Sequence, residues 1–592
     1  MSNSVDHIMG EARIIMENIK RYKKIYIVLQ LLVVICASVL FNAIQWSNIQ
    51  SRKRFVFSIF VLGSIVVSPF FLMQIKKNIY FWIEIKQKLL SFWNENKKKS
   101  IFFLIGGLSG SICISLLISK ILKCSGYKTK FWIALFVLVF GIYIYREFLI
   151  NRIHILFFCS MLLVGSLYVC EFPPIVGISW DDEIHYARAL KVASIFDGVN
   201  YEADHKIISE YLDNMGTHNC YDVLSRETYL NEVEKVYRQK KNTETELGTW
   251  GIFSISYVPS AVGILIARGL NLNFRHMFML GKFLNLLMYI LITTLAIRKI
   301  PYGKILMTVI GMIPTMTFMA SSYSYDPWVM SWILLGYAYF VDVICANKAN
   351  KEKELIIAAV CITIGCLPKA IYFALLFPLM LVGEKSVQND KKRKICKIVV
   401  GICIIVLVAS FLLPMLIHGA GSGDARGGAD VNSTEQIKFI LYHPMQYFQI
   451  WFEFIKNYIS INTSHDLVLF AYAGFGQYYG VAMATILVVA VLDRIRICER
   501  KISLKITVAG TLLLIMLLVP TALYISFTAV GSSTIEGCQP RYILPVLFPA
   551  FIFLPSDNIQ NNINIKLFRM VPICIMLFVL LNSLYFNMVS IL

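Results

Sequence analysis

A chain of 592 residues that is 57% hydrophobic and only 16% charged is too apolar to fold as a set of soluble domains and falls in the membrane class. Its 56 Lys and Arg outnumber 36 Asp and Glu, for a net charge of +20. The basic residues sit in short loops between apolar runs, which is the pattern that orients membrane proteins and argues against a nucleic-acid partner.

Apolar runs of about 20 residues, long enough to cross a hydrocarbon layer, recur from Ile25 to the C-terminus. The expected fold is all-α, a polytopic helical membrane protein with about 13–15 transmembrane helices. Residues 1 to 24 carry charge at both ends and no small-residue cleavage site, so they read as a retained cytoplasmic start. Basic clusters at Arg21 to Lys24, Lys76 to Lys99, and Arg146 with Arg152 put the N-terminus inside. They predict spans near 25–46, 55–74, 101–122, 131–145 and 153–170. Residues 1–150 then form an accessory module of four spans ahead of a body from 151 to 592. The 14 Cys are scattered without a CxxC pair and imply neither a metal site nor a disulfide framework.

The loop from Glu171 to Trp250 holds roughly fifteen of the 36 acidic residues and about half as many basic ones, and reads as a small folded cap on the outer side. The apolar stretch Ile252 to Arg268 is short and contains Pro259 and Gly263. It reads as a juxtamembrane or re-entrant segment, so that the first outer loop runs from 171 to 275. Spans near 276–297 and 304–320 pair through an inner turn, Ser321 to Asp326 turns outside, and a span near 327–345 returns to the basic cluster Lys348 to Lys353. The stretch Leu355 to Gly383 is basic at both ends and interrupted by Pro368 and Lys369, which predicts a helical hairpin with Lys369 at its outer tip.

A span near 396–417 leads to a second outer loop, 419–466. Its Gly-rich start lacks the GxxxxGK pattern and reads as a linker, and an aromatic-rich helix follows around Tyr442 to Tyr458. Spans near 477–492, 506–529, 542–554 and 568–589 complete the chain, with Gln539 and Arg541 in an outer turn.

The stretch that asks for a function is Pro173 to Arg188, PPIVGISWDDEIHYAR. In a helix starting near Trp180, the residues Asp181, Asp182, His185 and Arg188 share one face, because residues three and four apart stack. A plainer reading is that the acids decorate a helix N-terminus, though that leaves His185 and Arg188 unaccounted for. On the expected topology the outer face also collects Glu183, Asp326, Lys369 and Arg541. Ionisable groups at membrane depth are costly and mark function by default. Taken singly, Asp326 also suits a cap before Pro327, and Lys369 suits a lysine reaching from a helix end to the interface. Arg541 at a helix start opposes the dipole, and an anionic ligand would offset that cost.

Carboxylates beside cations at the outer leaflet suit transfer of a sugar from a lipid phosphate to a hydroxyl. An Asp accepts the acceptor's proton, and cations hold the departing phosphate. Hydrolysis of a glycoside fits less well, since it needs carboxyls facing each other across the sugar.

The run Asp182-Glu183-Ile184-His185-Tyr186 resembles the Asp-Glu-x-His-aromatic motif in the first outer loop of protein O-mannosyltransferases. From about residue 150 onward the chain resembles the GT-C class of polyprenyl-phosphate-sugar glycosyltransferases. The stretches Ser321 to Trp328, Leu367 to Tyr372 and Gln539 to Pro545 are similar to an uncharacterised bacterial branch of that class. The resemblance implies Asp182 as catalytic base, with Asp181 the base in an alternative register, and Glu183 beside it. It implies His185, Arg188, Tyr325, Asp326, Lys369, Gln539 and Arg541 as a substrate pocket.

The implied partners are a polyprenyl-phosphate sugar donor, a cell-surface glycan or lipid-linked acceptor, and membrane lipids, with the site outside a bacterial cytoplasmic membrane. Metal dependence is open: the acids are oxygen ligands of the kind a divalent Mg or Mn takes, but one short cluster without a second matched acid does not establish a site. A flippase or transporter for a lipid-linked or polymeric glycan is the alternative, and would carry charges at mid-membrane in several spans.

Overall fold

A computed structural model describes residues 87, 91, 93–121, 126–171, 181–212, 223–245, 252–346, 350–418, 428, 430–459, 478–493, 501–555 and 561–586. The spans expected near 25–46 and 55–74 lie outside them. The chain divides into two compact units, Met1–Ser100 and Ile101–Leu592. The described part of the first is helical at residues 93–100.

The second unit is all-α among its described residues, with only an isolated antiparallel bridge between Tyr201 and Asn242. Its helices are α1 (Leu108–Ile121), α2 (Gly126–Asn151), α3 (Ile153–Glu171), α4 (Asp182–Asp197), α5 (Glu202–Lys206), α6 (Val223–Tyr237), α7 (Val258–Gly269), α8 (Phe274–Lys299), α9 (Lys304–Gly311) and α10 (Pro314–Ala320). They continue with α11 (Asp326–Cys345), α12 (Glu352–Cys366), α13 (Asp390–His418), α14 (Ser433–Tyr442), α15 (Pro444–Tyr458), α16 (Tyr479–Leu492), α17 (Lys501–Phe527), α18 (Leu544–Phe553) and α19 (Ile565–Leu584). Among the described residues nine helical segments are long and apolar enough to cross a membrane, one of them the stretch Glu352–Leu381 that reverses at Lys369, and the shorter apolar helices Tyr479–Leu492 and Pro540–Phe553 accompany them. The chain is a multi-pass helical membrane protein.

Helix α8 is the central post. It packs on α3, α7 and α11, and α11 packs in turn on α12. The last contact is close because both sides are glycine: a Cβ on Gly336 would meet Ile362 at 2.5 Å, and one on Gly365 would meet Trp332 at 2.9 Å. Small residues at such crossings let backbones approach where lipid supplies no hydrophobic drive.

The awkward stretch near 252–268 behaves as its composition predicts. It forms a 3-10 turn, Ile252–Tyr257, and then α7, whose twelve residues reach about 18 Å, too short to cross a layer about 30 Å thick. Helices α4 and α8 cover it.

The expected span near 304–320 is two helices instead of one. Pro314 cannot donate a backbone hydrogen bond, and the chain breaks at Ile313 between α9 and α10. Residues 305–320 are buried throughout, so this pair fills the bundle and does not face lipid.

Residues Glu352 to Leu381 are helical almost without interruption, yet they do not form a rod. A straight helix of that length would hold its ends about 45 Å apart, whereas Lys351 N donates to Ser386 O at 3.0 Å. The reversal is at Lys369, whose φ of −136° and ψ of 69° are not helical. One arm is α12 extended to Pro368; the other, Ala370 to Leu381, is 3-10. The larger 3-10 rise lets these twelve residues return over about 24 Å, the depth the first arm climbs. The expected hairpin with Lys369 at its tip is present.

This hairpin defines two faces of the bundle. Opposite the tip, Asp342 near the end of α11 is clamped by Lys299 of α8 at 2.8 Å and by Lys351 at 3.0 Å. Asp493, following α16, caps the N-terminus of α9 from far along the chain: its Oδ2 accepts from Ile305 N at 2.7 Å and Leu306 N at 3.0 Å. Helix N-terminal amides left without such a partner are costly when buried. Asp493→Ala is expected to cost about 0.5–2 kcal/mol, read as a lowered unfolding midpoint of the detergent-solubilised protein. An unchanged midpoint would deny the cap its role.

Candidate functional site

The site is built on the turn between α10 and α11. The Asn285 amide of α8 donates to Ser322 O at 2.8 Å and Ser324 O at 2.9 Å, and Tyr323 Oη donates to Phe278 O at 2.9 Å. These bonds tie the turn to the flank of α8 between about 6 Å, at Phe278, and about 16 Å, at Asn285, along the axis from that helix's start at Phe274. The turn is therefore recessed within the bundle and not at its rim.

Asp326 opens α11 just after this turn, followed by Pro327 in the first helical turn, where a missing N–H costs nothing. Its two carboxylate oxygens are taken by different cations. Lys369, at the hairpin reversal, donates to Oδ1 at 2.7 Å, and Arg541 Nε lies 3.3 Å from Oδ2. Arg541 stands in the 3-10 turn Pro540–Ile543 that leads into α18 and is buried. Its Nη2 is 4.0 Å from Asp181 Oδ2. Four stretches distant in sequence thus meet through charge. Aromatic rings wall the cations: Lys369 Nζ lies 4.1 Å from the Tyr542 ring centre and 5.1 Å from that of Tyr325.

Asp181 precedes α4 with a φ of 60°, a left-handed conformation that costs a non-glycine residue about 1–2 kcal/mol. Such strain persists only where surroundings impose it. Its carbonyl accepts from His185 N at 2.9 Å, closing the first turn of α4. Asp182 begins the helix, and its side chain lies outside the described set. Glu183 is half-buried in the same turn.

One turn on, His185 is buried, its ring edge-on to Tyr325 at 5.2 Å and its Nδ1 2.8 Å from Tyr257 Oη. Arg188 reaches the same hydroxyl at 3.5 Å. Of the face read from the spacing, Asp181, His185 and Arg188 reach one cluster, while the Asp182 side chain lies outside the described residues. Burial drives the His185 pKa down to about 3, with nearby Asp326 opposing and Arg541 adding to the effect. The imidazole is therefore neutral at physiological pH. Burial likewise pushes the Tyr257 phenol up, so Tyr257 stays protonated.

Gln539 sits just before Pro540. Its carbonyl accepts from Tyr458 Oη of α15 at 2.6 Å. Its buried side-chain oxygen has no hydrogen-bond partner among the described residues. All of the substrate-pocket positions anticipated from sequence thus lie on or beside this cluster. Tyr257 and Asn285 also build it and carry no motif of their own, while Tyr323 and Tyr542 lie within the stretches Ser321 to Trp328 and Gln539 to Pro545 without having been singled out. The signal for Tyr257 was its segment, too short to span and therefore obliged to lie against protein. Among the described residues no three His, Cys, Asp or Glu gather as ligands for a metal ion, and Asp326 is engaged by Lys369 and Arg541.

A second charged group braces α4 from behind. Arg268, at the end of α7, bridges Asp197 and Asp204 at 2.9 Å each.

A family model described as predicted membrane protein (DUF2142) matches residues 162–549, from within α3 to within α18. The match encloses the whole cluster. No curated protein and no solved structure matches the chain.

A His whose folded pKa lies below its unfolded value near 6.5 takes up its proton only on unfolding, so its contribution to stability is complete above that pH and is lost on acidification. Between about pH 6.5 and 3 the loss approaches 1.4 kcal/mol per pH unit. His185→Gln is expected to flatten the acid side of the unfolding midpoint against pH relative to wild type; parallel curves would mean that His185 is not buried neutral.

Proposed function

The chain belongs to the DUF2142 family of predicted membrane proteins, and from its site we propose that it is a GT-C-like glycosyltransferase. It takes a sugar from a polyprenyl phosphate and passes it to a cell-surface glycan or lipid-linked acceptor. The orientation is N-terminus inside a bacterial cytoplasmic membrane, with the cluster opening to the outer side. The observation that carries the reading is the convergence of Lys369 and Arg541 on one recessed carboxylate, with an acid-bearing helix start 4.0 Å from the arginine.

Asp326 orients both cations, and an anionic phosphate would bind them by competing with Asp181, which stands 4.0 Å from Arg541 Nη2. The acceptor hydroxyl attacks the anomeric carbon from the face opposite the phosphate, and the bond from that carbon to the phosphate oxygen breaks. The hydroxyl proton passes to Asp182, or to Asp181 in the alternative register, and the bonding pair leaves with the lipid phosphate, which Arg541 and Lys369 hold. The product is inverted. Neutral His185, fixed by Tyr257, is a hydrogen-bonding group and not a cation here. Gln539 offers an acceptor to a sugar hydroxyl.

A transporter of lipid-linked glycans would want charge along a path through the bundle. The stretches Leu286–Ile297 of α8, Pro327–Val341 of α11 and Leu355–Pro368 carry no Asp, Glu, Lys or Arg. The absence of charge from these three stretches favours the enzyme.

Membranes or detergent-solubilised protein offered a panel of radiolabelled polyprenyl-phosphate sugars should move label into a glycan or lipid-linked product. Asp182→Asn should lower the rate by about 10²–10⁴-fold if Asp182 is the base, and Asp181→Asn should do so instead in the alternative register. Arg541→Ala should lose donor use in either case. Undiminished transfer by all three variants would overturn the reading.

A further inference from the structure

Helices α14 and α15 belong to what the sequence presents as an aqueous loop, yet their seat is inside the bundle's lipid-facing flank. Pro520 interrupts α17 and has no N–H to give the carbonyl of Met516, four residues earlier. Trp451 of α15 supplies the missing donor: its Nε1 donates to Met516 O at 3.1 Å. Tyr447 Oη lies against Thr521 Oγ1 one turn away on α17. Met516 is eleven residues from the end of α17 at Phe527, about 16 Å along the axis. The outward face of α15 is amphipathic: Met445, Phe448 and Phe452 are each more than half exposed beside the exposed Lys456–Glu453 ion pair, and Leu441 and Tyr442 at the end of α14 add apolar surface. Such a face suits a helix lying at a membrane interface.

Between α15, α17 and α18 lies a crevice with apolar walls that include Met516, Val519, Pro520 and Val546. Tyr458 and Tyr542 close its end toward the site. Tyr542 is the ring that Lys369 faces at 4.1 Å, and Tyr458 bonds the residue two before Arg541. The crevice thus runs from the site cations toward lipid. It holds only about 10 Å³ of free space, room for about one water, so a chain enters when a wall moves.

We propose that this crevice is the seat of the apolar chain of a lipid monophosphate, and that α15 is its movable wall, admitting the lipid sideways from the leaflet on the site face. The occupant follows from the chemistry: the walls suit hydrocarbon and the cations at the head suit phosphate. The proposal rests on the donor assigned under the function above. Trp451, Tyr447 and Tyr458 hold the wall closed through one side-chain hydrogen bond each.

The test uses the full-length protein in lipid nanodiscs and a sugar-free polyprenyl monophosphate carrying a diazirine in its first isoprene units. On irradiation, adducts are expected within residues 444–458 and 515–546, competed by unlabelled polyprenyl monophosphate and not by the neutral polyprenol. Val519→Trp, which fills the crevice, should reduce those adducts at least fivefold, while Leu513→Trp on the lipid-exposed surface of α17 should not. Phosphate-competable adducts confined to another surface, such as the groove between α16 and α19, would overturn the crevice while leaving the donor reading standing. Adducts competed equally by the neutral polyprenol would also overturn it, as ordinary lipid contact. Absence of any competable adduct together with absence of sugar transfer would remove both.

Discussion

The structure around the site depends on one buried carboxylate. An ionised Asp326 away from water would carry a desolvation cost of several kcal/mol if left alone. It is kept charged because Lys369 and Arg541 each take one of its oxygens. The constraint acts on backbone as much as on charge: it requires the α10–α11 turn, the hairpin reversal and the approach to α18 to meet at one point. The same requirement explains the 3-10 arm, whose rise brings the reversal to the right depth in the residues available. Buried pairs of this kind do not raise stability much over an apolar filling. Their presence is better explained by what the cations can do than by what they hold together.

Rigidity is supplied from elsewhere. Asn285 and Tyr323 fix the turn to α8, and glycines at 336 and 365 bring α11 against α12, so Asp326 and Lys369 are presented from packed helices. On the other side, Arg268 secures both the end of α4 and Asp204, fixing the helix that carries the acids. A charged constellation acts with little reorganisation only when its supports are this stiff. Helix α15 is attached to the bundle by side-chain bonds to α17 and to Gln539 and by a small buried cluster around Tyr447, Ile450 and Tyr524.

Much of this was legible in the sequence, for reasons that can be named. The hairpin could be read because basic residues flank both ends of a stretch broken at Pro368 and Lys369, and a chain basic at both ends must return. The cluster on α4 could be read because helical spacing brings Asp181, His185 and Arg188 together. Asp326 and Arg541 stood out as charges at the ends of apolar runs. What escaped was long-range. No local pattern announces that Asp493 caps α9, that Trp451 serves a carbonyl freed by Pro520, or that Asn285 secures a turn 37 residues later. Hydropathy also counted 304–320 as one span, because it registers composition and not what breaks or covers a segment.

The two ion pairs of Arg541 are unequal, and that inequality suggests how binding and base chemistry are linked. Nε is 3.3 Å from Asp326, but Nη2 is 4.0 Å from Asp181, a distance at which attraction persists without a direct hydrogen bond. A phosphate oxygen arriving at Nη2 can compete with Asp181 without disturbing the pairing to Asp326 and Lys369. On the proposed reaction, a donor phosphate at Nη2 would therefore take the place of Asp181 beside the arginine as the acceptor hydroxyl needs a base. The strained φ of Asp181 is consistent with a residue held in place by its surroundings for such a task.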